Sequence, residues 1–240
     1  MAANDLRSRI LEPEDIDDPE LAQDKLHGAL HGLTRINFLS ASAGTVWSPI
    51  CRLARRLKRN YLRVLDIATG AGDIPLALWR KGERIGLKLD ILGVDISERA
   101  LDFARQRSAC CGEDVQFRRL DVFAEEIPAG YDVVACSLFL HHLTNRQAER
   151  LLAGMARATN HLVLVNDLRR GRYGLTLAYL ASRLLTRSPV VWVDAIRSVR
   201  AAFSLEEVRA MADSAGMKGA EIARRWPARY LLSWEKSGSR

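Results

Sequence analysis

The sequence is poor in cysteine and has neither a long block of like charges nor a long uninterrupted apolar run. Only 4 of its 240 residues are cysteines, and they have neither C-x-x-C spacing nor a histidine pattern nearby. We therefore expect free thiols, a reducing cytoplasmic setting and no metal site. The most apolar stretch, from Tyr173 to Val193, is interrupted by two arginines and by Pro189, so it does not predict a membrane span.

Charged residues of the two signs are interspersed along the chain. Lysine and arginine number 36 against 29 acidic residues, yet they form no run like those of nucleic-acid-binding arms. A soluble enzyme with a basic surface is therefore favoured over a nucleic-acid-binding protein. The acidic residues between Glu12 and Asp18 are unlike the start of a signal peptide, and we expect residues 1 to about 17 to be loosely ordered.

The chain is long enough for one sizeable α/β domain, and its hydrophobic content of 48% fits a globular protein. Two helices are predicted before the first strand. Leucines recur at roughly helical spacing from Leu21 onward, and Ile50 and Leu53 share one face of the second helix. We expect residues 1–60 to form a helical cap segment and residues 61–240 to form the main domain.

A strand, a glycine turn and the start of a helix follow one another in residues 63–75, Arg-Val-Leu-Asp-Ile-Ala-Thr-Gly-Ala-Gly-Asp-Ile-Pro. The apolar residues before the turn are typical of a strand buried on both faces of a parallel sheet. Gly70 and Gly72 allow a sharp turn and a close approach to a ligand. The N–H groups and the dipole of the following helix complete a nucleoside-cofactor site. Pro75 replaces the third glycine of a dinucleotide fingerprint, which argues against an NAD-dependent oxidoreductase.

The next two predicted strands each end in an acidic residue. The strand from Leu89 ends in Asp95, whose two carboxylate oxygens suit the vicinal hydroxyls of a ribose. Asp95 could instead cap the next helix, but Ser97 is the better N-cap and would leave Asp95 for a ligand. The following strand ends in Asp121-Val122, where Asp121 could also be an exposed turn residue.

This arrangement resembles the class I S-adenosylmethionine-dependent methyltransferases, whose first motif reads Asp-x-x-x-Gly-x-Gly, here residues 66–72. The resemblance implies a Rossmann-like α/β fold with a mostly parallel seven-stranded sheet, helices on both faces and a C-terminal antiparallel strand. It also implies S-adenosyl-L-methionine as the cofactor, with Asp121 at the adenine amino group and the Val122 backbone at a ring nitrogen. The cofactor-binding residues expected from motif and strand ends are Asp66, Ala68, Gly70, Gly72, Asp95, Ile96, Asp121, Val122 and Ser137.

The fourth strand leads into a loop, from Ser137 to His142, that should line the methyl-transfer centre. A neutral histidine is a suitable base near pH 7, so His141 or His142 could take the proton of a phenol. Either ring could equally cap the next helix or pack against the loop. The Leu-His-His-Leu sequence is similar to that of many small-molecule methyltransferases.

One likeness to a narrower family is looser. The segment before the first motif, with Asn37, Ser40, Gly44 and Trp47, looks like that of the ubiquinone/menaquinone C-methyltransferases. The histidine loop departs from that family, whose corresponding loop reads Gly-Leu-Arg-Asn. The narrower resemblance therefore leaves the acceptor open.

The segment after the fifth strand indicates the substrate. Three arginines, Arg169, Arg170 and Arg172, precede an apolar helix that carries Leu177 and Leu180. An insert here, about residues 168–200, commonly roofs the substrate pocket in the methyltransferase family, although a plain core helix would explain it nearly as well. A roof would place the leucines against the acceptor, and the arginines against an acidic group or a membrane surface.

The resemblance then implies methyl transfer to oxygen or carbon of a small, largely apolar aromatic, quinone or polyketide-like acceptor, as in secondary metabolism. RNA methylation is one alternative, although the sequence has no recognisable RNA-binding module. A non-catalytic protein that kept the cofactor-binding fold is the other. The pattern of residues does not choose between oxygen and carbon and does not predict the oligomeric state.

Overall fold

The computed structural model describes residues 6–18, 20–39 and 42–236, so Ser40 lies outside the described residues, as do residues 1–5. Seven strands form one sheet in the order β3-β2-β1-β4-β5-β7-β6. The strands are β1 Tyr61–Ile67, β2 Lys88–Asp95, β3 Val115–Arg119, β4 Tyr131–Ser137, β5 Thr159–Leu168, β6 Glu221–Arg225 and β7 Arg229–Glu235. The first five are parallel, and β7 runs antiparallel to both of its neighbours. This architecture confirms the predicted fold class.

Helices cover both faces of the sheet. They are α1 Gln23–Leu39, α2 Ser42–Leu57, α3 Asp73–Ile85, α4 Glu98–Cys111, α5 Asn145–Ala158, α6 Arg172–Leu185, α7 Pro189–Ala201 and α8 Leu205–Ser214. One apolar cluster joins α2 and α3 to one face, and another joins α5 and α8 to the opposite face. The central strands are therefore buried on both sides, which accounts for their continuous apolar sequences.

Side-chain caps fix where several helices begin. The Ser97 hydroxyl accepts a hydrogen bond from the Ala100 N–H, as predicted for α4. Ser204 and Glu207 form a reciprocal capping box at the start of α8, and Thr144 and Gln147 form another at the start of α5. These caps satisfy N–H groups that have no partner inside their helix. The caps therefore fix where each of these helices begins relative to the sheet.

The N-terminal segment is ordered, contrary to expectation, over residues 6–18. The Arg9 guanidinium donates hydrogen bonds to the carbonyl oxygens of His141 and Leu143, at 3.0 and 2.8 Å. The Asp15 N–H donates to a carboxylate oxygen of Asp194 at 2.9 Å. Sequence reasoning missed this order because a polar segment with no apolar periodicity can still be held by charged hydrogen bonds to distant residues.

The two N-terminal helices differ in their surroundings. Helix α2 packs directly on the sheet, where Ile50 and Leu53 are buried with Val64 and Val133. Helix α1 contacts α6 and α7, and it also contacts the helices α2 and α3. The expected division into a cap segment of residues 1–60 and a main domain stays a prediction, with α1 as the part that lies outside the sheet layers.

The insert after β5 forms two helices. Helix α6 ends at Leu185, and α7 starts at Pro189, where proline is tolerated because an early helical N–H has no intrahelical acceptor. The two helices pack on each other and, with α1, lie above the ends of the central strands. In the described part of the chain, no helix has the length and apolar character needed to cross a membrane.

Candidate functional site

A cavity of about 850 Å³ lies at the C-terminal ends of β1, β2 and β4. The strand order switches direction at β1, which is where doubly wound sheets leave a ligand crevice. Every predicted site residue except Gly72 lines this cavity, namely Asp66, Ala68, Gly70, Asp95, Ile96, Asp121, Val122, Ser137, His141 and His142. The structure thus brings together residues that the sequence analysis assigned to cofactor and to catalysis.

The glycine turn after β1 has an unusual backbone. Ala68, Gly70 and Gly72 all have positive φ angles, of 54°, 52° and 74°, and Ala68 adopts this conformation at the cost of steric strain. A side chain at Gly72 would approach Ala104 and Phe117 at 3.0 Å, so Gly72 serves helix packing. A Cβ atom added at Gly70 would instead lie in open space, with no neighbouring atom within 4 Å in the described structure. A ligand can therefore approach the backbone at Gly70.

Asp66 lies buried beside this turn. The Thr69 hydroxyl donates a hydrogen bond to Asp66 Oδ2 at 2.7 Å, whereas Oδ1 is buried with no hydrogen-bond partner in the described part of the chain. Burial raises the pKa of this carboxyl to about 7; the Thr69 hydrogen bond opposes the shift, and the charge of Asp95 adds to it. A buried carboxylate oxygen with a vacant acceptor position suits a cationic ligand group such as an ammonium.

Asp95 connects the glycine turn to the end of β2. Its Oδ2 accepts the Gly70 N–H at 2.8 Å, and its Oδ1 accepts the Ser97 N–H at 2.9 Å. The expectation that capping by Ser97 leaves Asp95 free therefore needs correction, because the carboxylate already orders two backbone segments. Each carboxylate oxygen has a second lone pair, so ribose hydroxyls can still bind there.

At the end of β3, Asp121 makes a local turn. Its Oδ1 accepts the N–H groups of Phe123 and Ala124 at 2.9 and 3.3 Å. This is the turn role that the sequence analysis left open, and it uses one carboxylate oxygen. Asp121 and Val122 both line the cavity on the side of Ile96, whose side chain is more than half exposed.

The loop after β4 contributes the opposite wall. Ser137 Oγ is buried with no hydrogen-bond partner in the described structure, and the next residue, Leu138, has a φ angle of 57°. Two strained non-glycine residues, Ala68 and Leu138, thus face the same cavity from neighbouring strands. Backbone strain of this kind concentrates at ligand-binding sites.

His141 is held by a buried carboxylate. Its Nδ1 lies 2.6 Å from Asp167 Oδ1, and its backbone N–H donates to Asp167 Oδ2 at 3.3 Å. Burial would raise the pKa of Asp167, but the contact with His141 outweighs burial and lowers it. With an Nδ1–H donated to Asp167, the tautomer we assign places the lone pair on Nε2.

A carboxylate that sequence reasoning missed faces both histidines. Glu14 Oε1 lies 3.7 Å from His141 Nε2, and Glu14 Oε2 lies 3.9 Å from His142 Nε2. The Ser198 hydroxyl of α7 donates a hydrogen bond to Glu14 Oε1 at 2.5 Å. No sequence signal marked Glu14, because its partners lie far along the chain. The His142 ring also stacks on Phe139, with ring centroids 6.1 Å apart.

Helices α6 and α7 line the cavity with apolar side chains, as expected of a roof over the acceptor, but not every predicted leucine takes part. Leu177 lines the cavity, together with Val191 of α7. Leu180 is 51% exposed, so the prediction that it lies against the acceptor together with Leu177 is wrong for Leu180. Leu184, one turn further along α6, is 81% exposed.

The expectation that the arginines before α6 meet a substrate group needs correction for Arg170. Arg170 forms a two-pronged ion pair with the Glu207 carboxylate, at 2.9 Å for both contacts, so it does not meet a substrate. A different cation, Arg229 of β7, lines the cavity with 4% of its surface exposed. Burial lowers the pKa of Arg229 to about 10.

Comparisons with known proteins agree with this geometry. Residues 64–161 match the family model described as a methyltransferase domain. Ubiquinone biosynthesis O-methyltransferase from Leptothrix cholodnii is 33% identical over 89 residues, which cover 36% of this chain and 35% of that protein. The chain spans about a third of the length of the curated relatives it matches.

Solved structures share the architecture. A magnesium protoporphyrin IX methyltransferase from Synechocystis with bound SAH superposes with a TM-score of 0.56 and 18% identity, covering 82% of this chain and 85% of that one. An O-methyltransferase family 2 protein from Planctomyces limnophilus, in complex with apigenin, has a TM-score of 0.56 and 20% sequence identity. The superposition covers 73% of this chain and 50% of that one. At these identities the likeness shows the fold alone, and it agrees with the predicted architecture.

Proposed function

We propose that the chain carries a class I S-adenosylmethionine-dependent methyltransferase domain and that it methylates oxygen or carbon of a small, largely apolar aromatic, quinone or polyketide-like acceptor. One observation carries this proposal. The polar residues expected to bind the cofactor, the two histidines of the loop after β4 and the apolar side chains of the roof all line a single cavity. A methyl donor and an apolar acceptor could therefore meet without an intervening wall.

S-adenosyl-L-methionine is the cofactor in this proposal. The ammonium of its methionine part would contact the unpartnered Oδ1 of Asp66, because a buried carboxylate gains most from a cation. The ribose hydroxyls would bind the Asp95 carboxylate, and the adenine would lie by Asp121 and Val122. The cofactor would pass close to Gly70, where the space that a Cβ atom would take is unoccupied by other protein atoms of the described structure.

Methyl transfer to oxygen requires that the acceptor hydroxyl lose its proton. We assign this step to His142, whose side chain is 23% exposed against 4% for His141. The hydroxyl proton would pass to the imidazole, which would leave the acceptor oxygen ready to bond to a methyl carbon. A bound S-adenosylmethionine would supply that methyl group, and S-adenosylhomocysteine would leave with the electron pair of the broken carbon–sulfur bond. His141, paired with Asp167, would hold the loop in place.

Much of the rate would come from alignment of the two reactants. Well-oriented groups reach effective molarities of about 10⁵–10⁸ M. The N-terminal segment, α6 and α7 close over the cavity and would exclude water from the reacting groups. Phe139 lies beside His142, where an aromatic face can interact with a sulfonium or with an aromatic acceptor.

The outer surface of α6 supports a membrane contact as a further part of the proposal. Tyr173, Tyr179, Leu180 and Leu184 are exposed there, and the guanidinium of Arg183 lies over the Tyr179 ring. Apolar side chains beside a cation suit an anionic lipid surface, where greasy acceptors dissolve. The free cysteines agree with the expected cytoplasmic location, which stays a prediction.

The proposal is tested by incubating the purified protein with methyl-labelled cofactor and a panel of phenols and hydroxyquinones. Purified RNA serves as the rival acceptor. We expect label in the organic extract and none in RNA. Label in RNA alone would contradict the small-molecule acceptor, and failure of the protein to bind the cofactor in a titration would contradict the enzyme assignment.

A further inference from the structure

Three potential metal ligands from distant parts of the chain converge on one wall of the cavity. Glu14 comes from the N-terminal segment, and His141 and His142 come from the loop after β4. Their ligand atoms all lie within 4.8 Å of one another. We refer to these three residues as the Glu-His-His cluster. All three residues line the cavity described above.

We propose that the Glu-His-His cluster binds a divalent first-row transition-metal ion. Two imidazoles and one carboxylate form a donor set that suits Zn²⁺ and its neighbours in the first transition row. Zinc binds nitrogen and oxygen at about 2.0–2.2 Å, so ligand atoms around it lie roughly 3.3 Å apart. Glu14 Oε1 lies 3.7 Å from His141 Nε2 and Glu14 Oε2 lies 3.9 Å from His142 Nε2, and the three ligand atoms lie within 4.8 Å of one another. Side-chain shifts of about 1–1.5 Å would bring them to this geometry.

The partners of these ligands are the ones that a metal site needs. Histidine ligands commonly donate their second ring N–H to a carboxylate, which fixes the tautomer and the ring orientation. Asp167 accepts from His141 Nδ1 in this manner, so the Nε2 lone pair is directed toward Glu14. The Ser198 hydroxyl, in turn, orients the Glu14 carboxylate by donating to Oε1.

The local charge also favours a cation. His141 lies between two carboxylates, Asp167 at Nδ1 and Glu14 at Nε2. A third carboxylate, Asp194, lies close by and accepts the N–H groups of Asp15 and Ile16, the two residues that follow Glu14. The nearby Arg197 is engaged by Asp15 at 2.5 Å. A dication between Glu14 and the histidines would offset negative charge that is otherwise costly to bury.

Three protein ligands leave a coordination position open toward the cavity. An acceptor hydroxyl that enters this position would have its pKa lowered by the ion. In the metal-loaded protein the ion would then activate the hydroxyl, and His142 would act as its ligand. Only this consequence rests on the proposed methyl transfer, because metal binding itself depends on the three side chains alone.

The test is a calorimetric titration of tag-free protein with Zn²⁺, and with Co²⁺ to record its ligand-field absorption. We expect one ion per chain at micromolar or tighter affinity, and a cobalt spectrum with nitrogen ligands. Glu14→Gln and His142→Ala should each weaken binding at least tenfold. Asp167→Asn, which keeps the side-chain shape, should weaken it by about 10–100-fold as an orienting residue does.

His161→Ala is the matched control, because His161 also lies beside a carboxylate, Asp132, at 3.6 Å but outside the cavity. It should bind the ions as the unaltered protein does, and circular dichroism checks that each variant is folded. Absence of binding up to about 100 μM Zn²⁺ would overturn the proposal. So would Glu14 and His142 variants that bind the ion as tightly as the unaltered protein does. A parallel titration with S-adenosylmethionine reports on the proposed function separately, since the cofactor residues are untouched.

Discussion

The Thr69 hydroxyl donates a hydrogen bond to one oxygen of the Asp66 carboxylate at 2.7 Å, and the other oxygen is buried without a partner in the described structure. Burial raises the pKa of Asp66 to about 7. A carboxyl in this state is only half ionised at neutral pH, so the proton competes with any cationic group that binds there. The carboxyl beside the glycine turn therefore has a charge that depends on pH in the physiological range.

Cofactor affinity should rise with pH across neutrality. The ammonium of S-adenosylmethionine binds the ionised form of Asp66, so binding below about pH 7 must displace a proton. We expect calorimetry between pH 5.5 and 8 to show tighter binding at the alkaline end and proton release at the acidic end. Affinity that does not change over this range would contradict the assignment of Asp66 to the ammonium.

Asp66→Asn should stabilise the fold while weakening cofactor binding. The folded-state pKa of about 7 lies above the unfolded value near 3.8, so the contribution of Asp66 to stability is present below about pH 4 and is lost as the pH rises through 7. Asparagine avoids this loss and can still accept from Thr69. A gain of about 1 kcal/mol would raise Tm by roughly 2–4 °C at pH 8. Equal Tm values at pH 4 and a higher Tm of the variant at pH 8 are the expected pattern.

Asp95→Asn should weaken cofactor binding without unfolding the protein. An amide oxygen cannot replace both carboxylate oxygens, which accept from Gly70 and Ser97. The loss of ribose contacts and of turn order should cost on the order of 1–3 kcal/mol, or about 5- to 150-fold in affinity. Asp90→Asn, on the same strand but outside the cavity, should bind normally. Equal effects of the two substitutions would show that Asp95 has no ligand role.

Leu177→Ser and Leu180→Ser form a matched pair on α6. Leu177 lines the cavity and Leu180 is 51% exposed. We expect the Leu177 variant to raise KM for an apolar acceptor roughly tenfold, since partial burial of a leucine is worth about 1–2 kcal/mol. The Leu180 variant should leave KM unchanged, and both should keep cofactor affinity. A rise in KM for both variants would mean that α6 acts through stability rather than through contact with the acceptor.

His142→Ala should lower kcat by about 10²–10⁴-fold for weakly acidic phenols, the range found for general bases. The loss should shrink for phenols that are already ionised at the assay pH, because no proton then has to be removed. His161→Ala serves again as the control outside the cavity. A loss that is the same for ionised and un-ionised phenols would assign His142 to positioning instead of proton transfer.

The parts of the site that sequence reasoning predicted are those set by local patterns. Asp66 and Asp95 lie near the ends of β1 and β2, Asp121 closely follows β3, and parallel strands end at one edge of the sheet. A pattern of strand, turn and helix therefore places them together without knowledge of the packing. The Ser97 and Ser204 caps were predictable for the same reason, because a cap and its helix are neighbours in sequence.

The features that were missed depend on contacts between distant segments. Glu14 reaches the histidines because the Arg9 side chain and the Asp194 carboxylate hold a polar segment across the cavity. No periodicity marks such a segment. The exposure of Leu180 depends on how α6 is rotated against α7, and apolar spacing on α6 does not specify which of its leucines meets the partner helix.

The most direct test of the central claim is a crystal structure with bound S-adenosylhomocysteine. We expect the ribose at Asp95, the adenine by Asp121 and Val122, and the sulfur directed into the cavity toward His142, beneath Leu177. Density for the nucleoside elsewhere, or a sulfur that faces solvent away from the histidines, would contradict this claim.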